Sequence, residues 1–402
     1  MQHLEGDLGA KTSPLEARHR SSGLNSRFSG GQAGFATYIS GTRDMIARVR
    51  SGVNVVQLKK IVAGNTPFEL KPAPGFAHGQ SKPYKRGVLL IHGLTDSPYS
   101  MRHLGGFFQQ NGFRVMAVLL PGHGTQPGDL LNVTWQEWAK TVAYAADQLA
   151  MEVDEVYLAG YSAGGALSLY QGLHDKRVRG LFLFSPALDI THRAAWAWIH
   201  KLYSWLFPVA KWVTIKPDRD IYKYESFPKN AAAQLYALSR EVARQLQTHE
   251  LNIPIFAAAS LDDTSVISSA TLKFMQEADH PLNHLVLYTS DRGALPADIP
   301  DAHVELVDSR IPEQNILSSA HTAITQPPED EHYGVHGEYC NCLHYYPDHM
   351  EKYEACLSHP KGMLQGEITE ANLKAGTLRR LTYNPHFAEL LASMKQFIER
   401  LP

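Results

Sequence analysis

Short apolar runs alternate with longer amphipathic segments over most of the sequence beyond the proline-punctuated stretch 67–83. This alternation is typical of βα units, in which helices join strands that are buried on both faces of a parallel sheet. The runs that predict strands are Gly87–Ile91, Val115–Leu120, Val156–Ala159, Leu181–Phe184, Ile255–Ala258 and Leu285–Tyr288, with Val304–Val307 as a further candidate. The sequence therefore predicts an α/β fold with a mostly parallel central sheet flanked by helices.

Changes in pattern divide the chain into several parts. Residues 1–34 are rich in Gly, Ser and Arg without periodicity, which predicts a poorly ordered N-terminal arm. Apolar residues at helical spacing predict a helical segment over 35–66 that packs on the core. The alternating pattern occupies 67–185 and 250–402, which form the predicted α/β core. It is interrupted by a Trp-rich helical stretch over 186–249, which we interpret as an inserted helical cap.

The overall charge and hydropathy exclude several classes of partner. With 38 Lys and Arg residues against 40 Asp and Glu residues, the formal net charge is -2, which gives no global field to attract nucleic acid. No stretch of about eighteen consecutive apolar residues occurs, so the sequence predicts no integral membrane segment. The three cysteines, Cys340, Cys342 and Cys356, predict a fold without a disulfide framework and a reducing, cytoplasmic location.

One serine lies at a turn suited to nucleophilic catalysis. The segment Gly160-Tyr161-Ser162-Ala163-Gly164 follows the predicted strand Val156–Ala159 and precedes a helix that begins with small residues. A serine hydroxyl acts as a nucleophile when it is exposed beside a base, and a sharp strand-to-helix turn with flanking glycines provides that exposure. We therefore predict Ser162 as the nucleophile; the alternative is a glycine-rich turn with no chemical role.

The tetrahedral intermediate formed on such a serine needs two backbone N–H donors for its oxyanion. One donor usually belongs to the residue after the nucleophile, which is Ala163. The second is expected in the loop that leaves the first predicted strand through Gly93, where we place it at Leu94, with Thr95 as the alternative. We interpret the preceding His92 as a residue that shapes this loop.

Several motifs occur in the order and spacing of one known superfamily. They are His92-Gly93-Leu94, Leu120-Pro121-Gly122-His123-Gly124-Thr125, Trp135-x-x-Trp138 and Gly160-Tyr161-Ser162-Ala163-Gly164. On these residues the chain, from about Phe68 to its C-terminus, resembles the α/β-hydrolase superfamily, in the branch of small carboxylesterases and monoacylglycerol lipases. The resemblance implies an α/β-hydrolase fold and hydrolysis of a small acyl ester by a serine triad without a cofactor.

The resemblance also implies the order serine, acid, histidine along the chain. Asp262 and Asp263 both follow the predicted strand that begins at Ile255. The residues alone do not decide which of the two is the acid. The family pattern favours Asp263, which stands three residues before the apolar Val266. For the base it favours His321, on a loop rich in small residues.

The predicted cap and the C-terminal region carry further candidates. Aromatic and apolar residues of the cap, among them Trp198, Trp205 and Leu206, are candidates for binding the substrate's acyl chain. Packing on the sheet and transient contact with a lipid surface are the alternatives. The segment 332–356 is rich in His and Cys, but its spacing fits no standard zinc pattern, so we predict no metal site there.

Together these features predict a serine hydrolase that cleaves carboxylic esters. The acyl-enzyme would form on Ser162, with His321 as general base and Asp263 as the acid that orients it. Thioesterase, amidase and acyltransferase chemistry would use the same residues and stay open. Outside enzymes, the alternative is a non-catalytic protein of the same fold that binds ligands, although every triad position is filled.

Overall fold

The computed structural model describes residues 14–28, 31, 33–76, 78–190, 208–295, 304–358 and 362–402. Its strands are β1 (Phe68–Leu70), β2 (Tyr84–Ile91), β3 (Phe113–Val118), β4 (Val153–Tyr161), β5 (Val178–Phe184), β6 (Trp212–Thr214), β7 (Phe227–Pro228), β8 (Ile255–Ser260), β9 (His284–Thr289), β10 (Val304–Asp308), β11 (Leu364–Gly366) and β12 (Leu378–Arg380). Its helices are α1 (Phe35–Val49), α2 (Val55–Asn65), α3 (Arg102–Gln110), α4 (Trp135–Glu152), α5 (Ala163–His174), α6 (Lys229–Leu246), α7 (Ser268–Glu277), α8 (Met350–Leu357), α9 (Glu370–Ala375) and α10 (Phe387–Arg400). Within these ranges, no helix combines the length and the hydropathy that crossing a bilayer would require.

The central sheet has eight strands in the order β1-β3-β2-β4-β5-β8-β9-β10. All neighbours in it run parallel except the short edge strand β1, which pairs antiparallel with β3. The predicted mostly parallel α/β sheet is therefore confirmed, and each predicted apolar run contributes a strand. β4 continues to Tyr161, so that Ser162 stands directly at the carboxyl end of a central strand.

Alternate residues of the strands enter two separate apolar cores, one on each face of the sheet. On β2, Leu89 and Ile91 contribute to the core that also contains residues of α4, α5 and α6, whereas Val88 and Leu90 contribute to the core under α3 and α10. All four side chains are fully buried. Because successive side chains of a strand point to opposite faces, helices on both faces leave only the strand ends free for a site.

The segment 14–28 is part of the folded body, in contrast to the expected poorly ordered arm. The backbone N–H and the hydroxyl of Ser22 donate to the carboxylate of Asp129 over 2.6 and 2.8 Å. The amide of Asn25 donates to the carbonyl of His123 over 2.6 Å. These contacts join a segment without periodicity to a loop a hundred residues away, so no local pattern could predict them.

The predicted cap over 186–249 is only partly covered by the described residues, which exclude 191–207. Its described part holds the antiparallel pair β6 and β7 and the helix α6. Leu235 and Leu238 of α6 belong to the same apolar core as α4 and α5. The described part of the predicted cap therefore packs on one face of the sheet.

A disulfide joins Cys342 to Cys356 in the long connection between β10 and α10. The expectation of a fold without a disulfide framework is therefore wrong for Cys342 and Cys356. Their spacing in the sequence did not indicate that the two thiols would lie in contact. Disulfides are typical of oxidising compartments. The bridge does not favour the expected cytoplasmic location, which stays a prediction.

Removing this disulfide should destabilise the connection that it closes. The two cysteines lie 14 residues apart in sequence, and the chain-entropy relation gives about 3 kcal/mol for a loop of this size. We expect the double substitution Cys342→Ser and Cys356→Ser to lower the midpoint of denaturant unfolding. Cys340→Ser, outside the bridge, is the control. An unchanged midpoint in the double variant would show that the bridge adds no stability.

Candidate active site

A tight turn holds Ser162 between β4 and α5. The backbone of Ser162 has φ 54° and ψ -114°, a conformation that non-glycine residues rarely adopt. A Cβ at Gly160 would lie 2.1 Å from the carbonyl oxygen of Gly164, and one at Gly164 would lie 2.0 Å from the carbonyl oxygen of Ile91. Only glycine fits at both positions. The turn is further fixed because the N–H of Ser162 donates to the carbonyl of Phe184 over 2.9 Å.

The structure brings Ser162, His321 and Asp263 into one line of contacts. The Oγ atom of Ser162 lies 3.0 Å from Nε2 of His321, and Nδ1 of His321 lies 2.6 Å from Oδ2 of Asp263. The side chains of His321 and Asp263 are 7% and 0% exposed. These distances and this burial suit transfer of the serine proton to the imidazole and stabilisation of the resulting imidazolium.

The two adjacent aspartates after β8 point to different partners. The Oδ1 atom of Asp263 accepts the N–H groups of Ser265 and Val266 over 2.7 and 3.1 Å. Burial raises the pKa of Asp263, but His321 and these N–H groups outweigh it and hold the pKa below its usual range.

Asp262 turns away from the imidazole and accepts the N–H of Ser290 and the hydroxyl of Ser309, each over 3.0 Å. Burial raises the pKa of Asp262. The structure thus brings Asp263, and not Asp262, to His321.

The loop that carries Leu94 lies directly against Ser162. A Cβ placed on Gly93 would be 3.3 Å from Cβ of Ser162. Thr95 in the same loop has a φ of 63°, and its carbonyl accepts the N–H of Tyr224 over 2.7 Å. Ala163 is the fully buried first residue of α5. The candidate oxyanion donors Leu94 and Ala163 therefore flank Ser162 from two different elements.

His92 is engaged with the backbone rather than with the triad. Its Nε2 atom accepts the N–H of Leu120 over 3.0 Å, and its Nδ1 atom lies 2.8 Å from the carbonyl oxygen of Gly93. Burial lowers the pKa of His92 well below its usual value, and the neighbouring His123 acts in the same direction. A neutral imidazole that joins two loop backbones fits the interpretation of His92 as a residue that shapes the oxyanion loop.

Glu367, which the sequence did not single out, contacts the candidate base, and Arg380 in turn contacts Glu367. The Oε2 atom of Glu367 accepts the backbone N–H of His321 over 3.0 Å, and Arg380 donates to the same oxygen over 2.8 Å. The hydroxyl of Tyr161 donates to the carbonyl of His321 over 3.1 Å. Glu367 and Arg380 belong to a region without hydrophobic periodicity, where charges are usually solvated, so no signal indicated them.

Two groups of candidates remain, one in the predicted cap and one in the segment 332–356. Trp198, Trp205 and Leu206 lie outside the described residues. In the segment 332–356, His332 lies 3.0 Å from a carboxylate oxygen of Asp220, and two of the three cysteines form the disulfide. The first contact joins this segment to the chain before α6, and the disulfide closes a loop within the segment.

Comparison with known proteins gives a family match over residues 82–292, to the family described as serine aminopeptidase, S33. The chain is 35% identical to the thermostable monoacylglycerol lipase of Bacillus sp. (strain H-257) over 109 residues, which are 27% of this chain and 44% of that protein. It is 32% identical to a carboxylesterase of Bacillus subtilis (strain 168) over 88 residues, 22% of this chain and 36% of that protein. The matches thus span less than half the length of these two relatives.

Among solved structures, one described under "LipS and LipT, two metagenome-derived lipolytic enzymes" aligns with 56% of this chain and 87% of its own chain. The sequence identity is 23% and the TM-score is 0.46.

Replacing each of the two aspartates by asparagine, one at a time, should distinguish their roles. We expect Asp263→Asn to lower kcat by about 10^4-fold, because an amide stabilises the wrong tautomer of the imidazole. Asp262→Asn should keep most of the activity, since the hydrogen bonds described for its carboxylate come from Ser290 and Ser309 and not from His321. Hydrolysis of p-nitrophenyl butyrate by both variants checks this, with thermal unfolding to establish that each is folded. Greater damage from Asp262→Asn would contradict the assignment.

Proposed function

Because the chain belongs to the S33 serine aminopeptidase family of α/β-hydrolases, we propose that it is a serine hydrolase that cleaves carboxylic esters through an acyl-enzyme on Ser162. The observation that carries the proposal is the line of contacts from Ser162 through His321 to Asp263, with distances of 3.0 and 2.6 Å. Hydrogen bonding of this kind activates a serine that is otherwise a weak nucleophile.

The proposed reaction has two halves. His321 takes the proton of Ser162 while Oγ attacks the ester carbonyl, and the N–H groups of Leu94 and Ala163 stabilise the oxyanion. The intermediate collapses when His321 gives the proton to the departing alcohol, which leaves an acyl group on Ser162. Water, activated by the same imidazole, then releases the carboxylic acid. Asp263 holds the imidazole and stabilises its protonated form.

Esters are the proposed substrate class because both relatives named above are named for ester hydrolysis. The family description names an aminopeptidase, so amide hydrolysis is the alternative that an assay must separate. Trp198, Trp205 and Leu206 of the cap stay our candidates for contacting the acyl chain. Transient contact of the cap with a lipid surface is part of the same proposal.

A fluorophosphonate probe tests the nucleophile directly, because it bonds covalently to an activated serine. The protein should be labelled, and Ser162→Ala should abolish labelling and lower kcat on p-nitrophenyl esters by roughly 10^4- to 10^6-fold. Ser358→Ala, at an exposed serine after α8, is the control. Undiminished labelling of Ser162→Ala would overturn the proposal. Faster turnover of alanine p-nitroanilide than of p-nitrophenyl esters would favour the amide alternative.

Activity should rise with pH along a single step. Burial raises the pKa of Asp263, but His321 and the neighbouring N–H groups outweigh it, so its carboxylate stays ionised throughout the neutral range. Loss of a proton from the imidazole then controls the reaction. We expect kcat/KM on a neutral ester to rise about tenfold per pH unit in acid and then to level off. A second rising step in a protein that remains folded would contradict the ionised Asp263.

A further inference from the structure

Building on the proposed function, we infer that the ion pair between the buried Glu367 and the half-buried Arg380 is a positioning device for the triad. In this inference, Glu367 holds the backbone of His321, and Arg380 joins that backbone to the loop of Asp263. Neither residue touches the reacting atoms. Both lie in the long connection between β10 and α10, beyond the family match that ends at residue 292, so the inference also assigns a role to that connection.

Glu367 is a carboxylate with 0% side-chain exposure and a full set of partners. Oε2 accepts the N–H of His321 over 3.0 Å and a guanidinium N–H of Arg380 over 2.8 Å. Oε1 accepts the N–H of Ile368 over 2.7 Å. A buried charge is costly unless it is paired and hydrogen-bonded. Displacement of His321 would remove one of these partners, so the buried carboxylate opposes movement of the histidine.

Arg380 connects the two loops that supply the base and the acid. Its Nη2 atom donates to Glu367 over 2.8 Å and to Oγ of Ser265 over 2.7 Å. The backbone N–H of Ser265 in turn donates to Oδ1 of Asp263 over 2.7 Å. One planar guanidinium therefore ties the backbone of His321 to the turn that holds its carboxylate partner. A guanidinium suits this task because its donors have a fixed geometry.

Further contacts attach the segment around His321 to the β11 and β12 region. The N–H of Leu317 donates to the carbonyl of Gln365 over 2.8 Å, and the hydroxyl of Thr322 donates to the carbonyl of Leu381 over 3.0 Å. One attachment precedes the histidine and the other follows it. The region of the small sheet of β11 and β12 thus supports the segment that carries His321 on both sides of the histidine.

The pair also balances charge beside the imidazole. Burial raises the pKa of Glu367, but the opposing effect of Arg380 is larger, so the pKa lies below its usual value. Burial lowers the pKa of Arg380, but Glu367 and Asp263 raise it above its usual value. Both groups therefore stay charged and offset each other. The charged and titratable groups that face His321 and this pair come from several elements; they are Asp263, Asp262, Glu367, Arg380, Tyr161, Asp96, Lys223 and His344.

Removal of the positive charge and removal of the negative charge should shift the acid limb of the pH profile in opposite directions. Arg380→Met leaves an uncompensated carboxylate, which favours the imidazolium, so the acid limb of kcat/KM should shift to higher pH by roughly one unit. Glu367→Gln leaves an uncompensated guanidinium and should shift the limb to lower pH by roughly the same amount. Both should lower kcat roughly 10- to 100-fold with little change in KM, because the base is misplaced. A purely structural role would not produce opposite shifts.

The experiment measures kcat and KM against pH for wild type and variants on p-nitrophenyl butyrate. It also follows the His321 Cε1 resonance against pH by NMR, which needs no turnover. Arg114→Met is the matched control: Arg114 is also buried and paired with Glu152 over 2.7 Å, but it lies at the amino end of β3, away from the site. It should affect stability and leave the acid limb in place.

Conservative variants keep the test valid if the others do not fold. Arg380→Lys and Glu367→Asp retain charge but change geometry, so they should lower kcat and leave the acid limb in place. Unchanged kcat in these variants would overturn the inference.

The outcomes also separate the two proposals. In an active protein, opposite shifts together with a lowered kcat support the inference, whereas absent or parallel shifts, or an unchanged kcat, overturn it and leave the proposed function intact. If wild type neither reacts with fluorophosphonate nor turns over ester, the proposed function fails. The His321 resonance then decides the inference alone: opposite shifts in the variants support it, and an unmoved resonance overturns it.

Discussion

The close contact of two backbones after β4 is the constraint on which the site depends. Gly164 lets α5 approach the carbonyl of Ile91 at the end of β2, and Gly160 lets the helix begin immediately over the end of its own strand. A side chain at either position would push α5 off the sheet and move Ser162 out of line with His321. The same contact places Gly93, and with it the Leu94 loop, against Ser162.

The rest of the site reaches this turn from distant parts of the chain. Parallel strands bring their carboxyl ends to one edge of a sheet, and ligand sites of open α/β sheets occur at that edge. The Asp263 loop follows β8 there, while His321 arrives after β10 and is held by Glu367 from beyond β11. Ser162 and Asp263 thus lie inside the family match, whereas His321 and the residues that hold it lie in the C-terminal remainder.

The sequence predicted what local pattern and chemistry specify. Apolar runs indicated every parallel strand of the sheet, because strands buried on both faces are continuously hydrophobic. The turn at Ser162 could also be predicted from local sequence, because its backbone geometry restricts which residues fit there and requires the neighbouring glycines. The choice of Asp263 and His321 needed the family resemblance, because loops carry no periodicity.

What the sequence did not show depends on contacts between distant segments. The Cys342–Cys356 bridge and the pair of Glu367 and Arg380 are specified by tertiary proximity alone. Residues 14–28 were missed for the same reason, since serine and asparagine side chains give no hydrophobic signal. Polar residues in irregular segments have the same appearance in a sequence whether they are solvated or buried.

The burial of Asp129 bears on where the folding unit begins. Its carboxylate is fully buried and is satisfied by Ser21, Ser22 and Thr125, so two of its three partners come from the first thirty residues. A chain cut at the start of the family match would leave this buried carboxylate with Thr125 alone among these partners. The folded unit therefore extends beyond the residues that the family match covers.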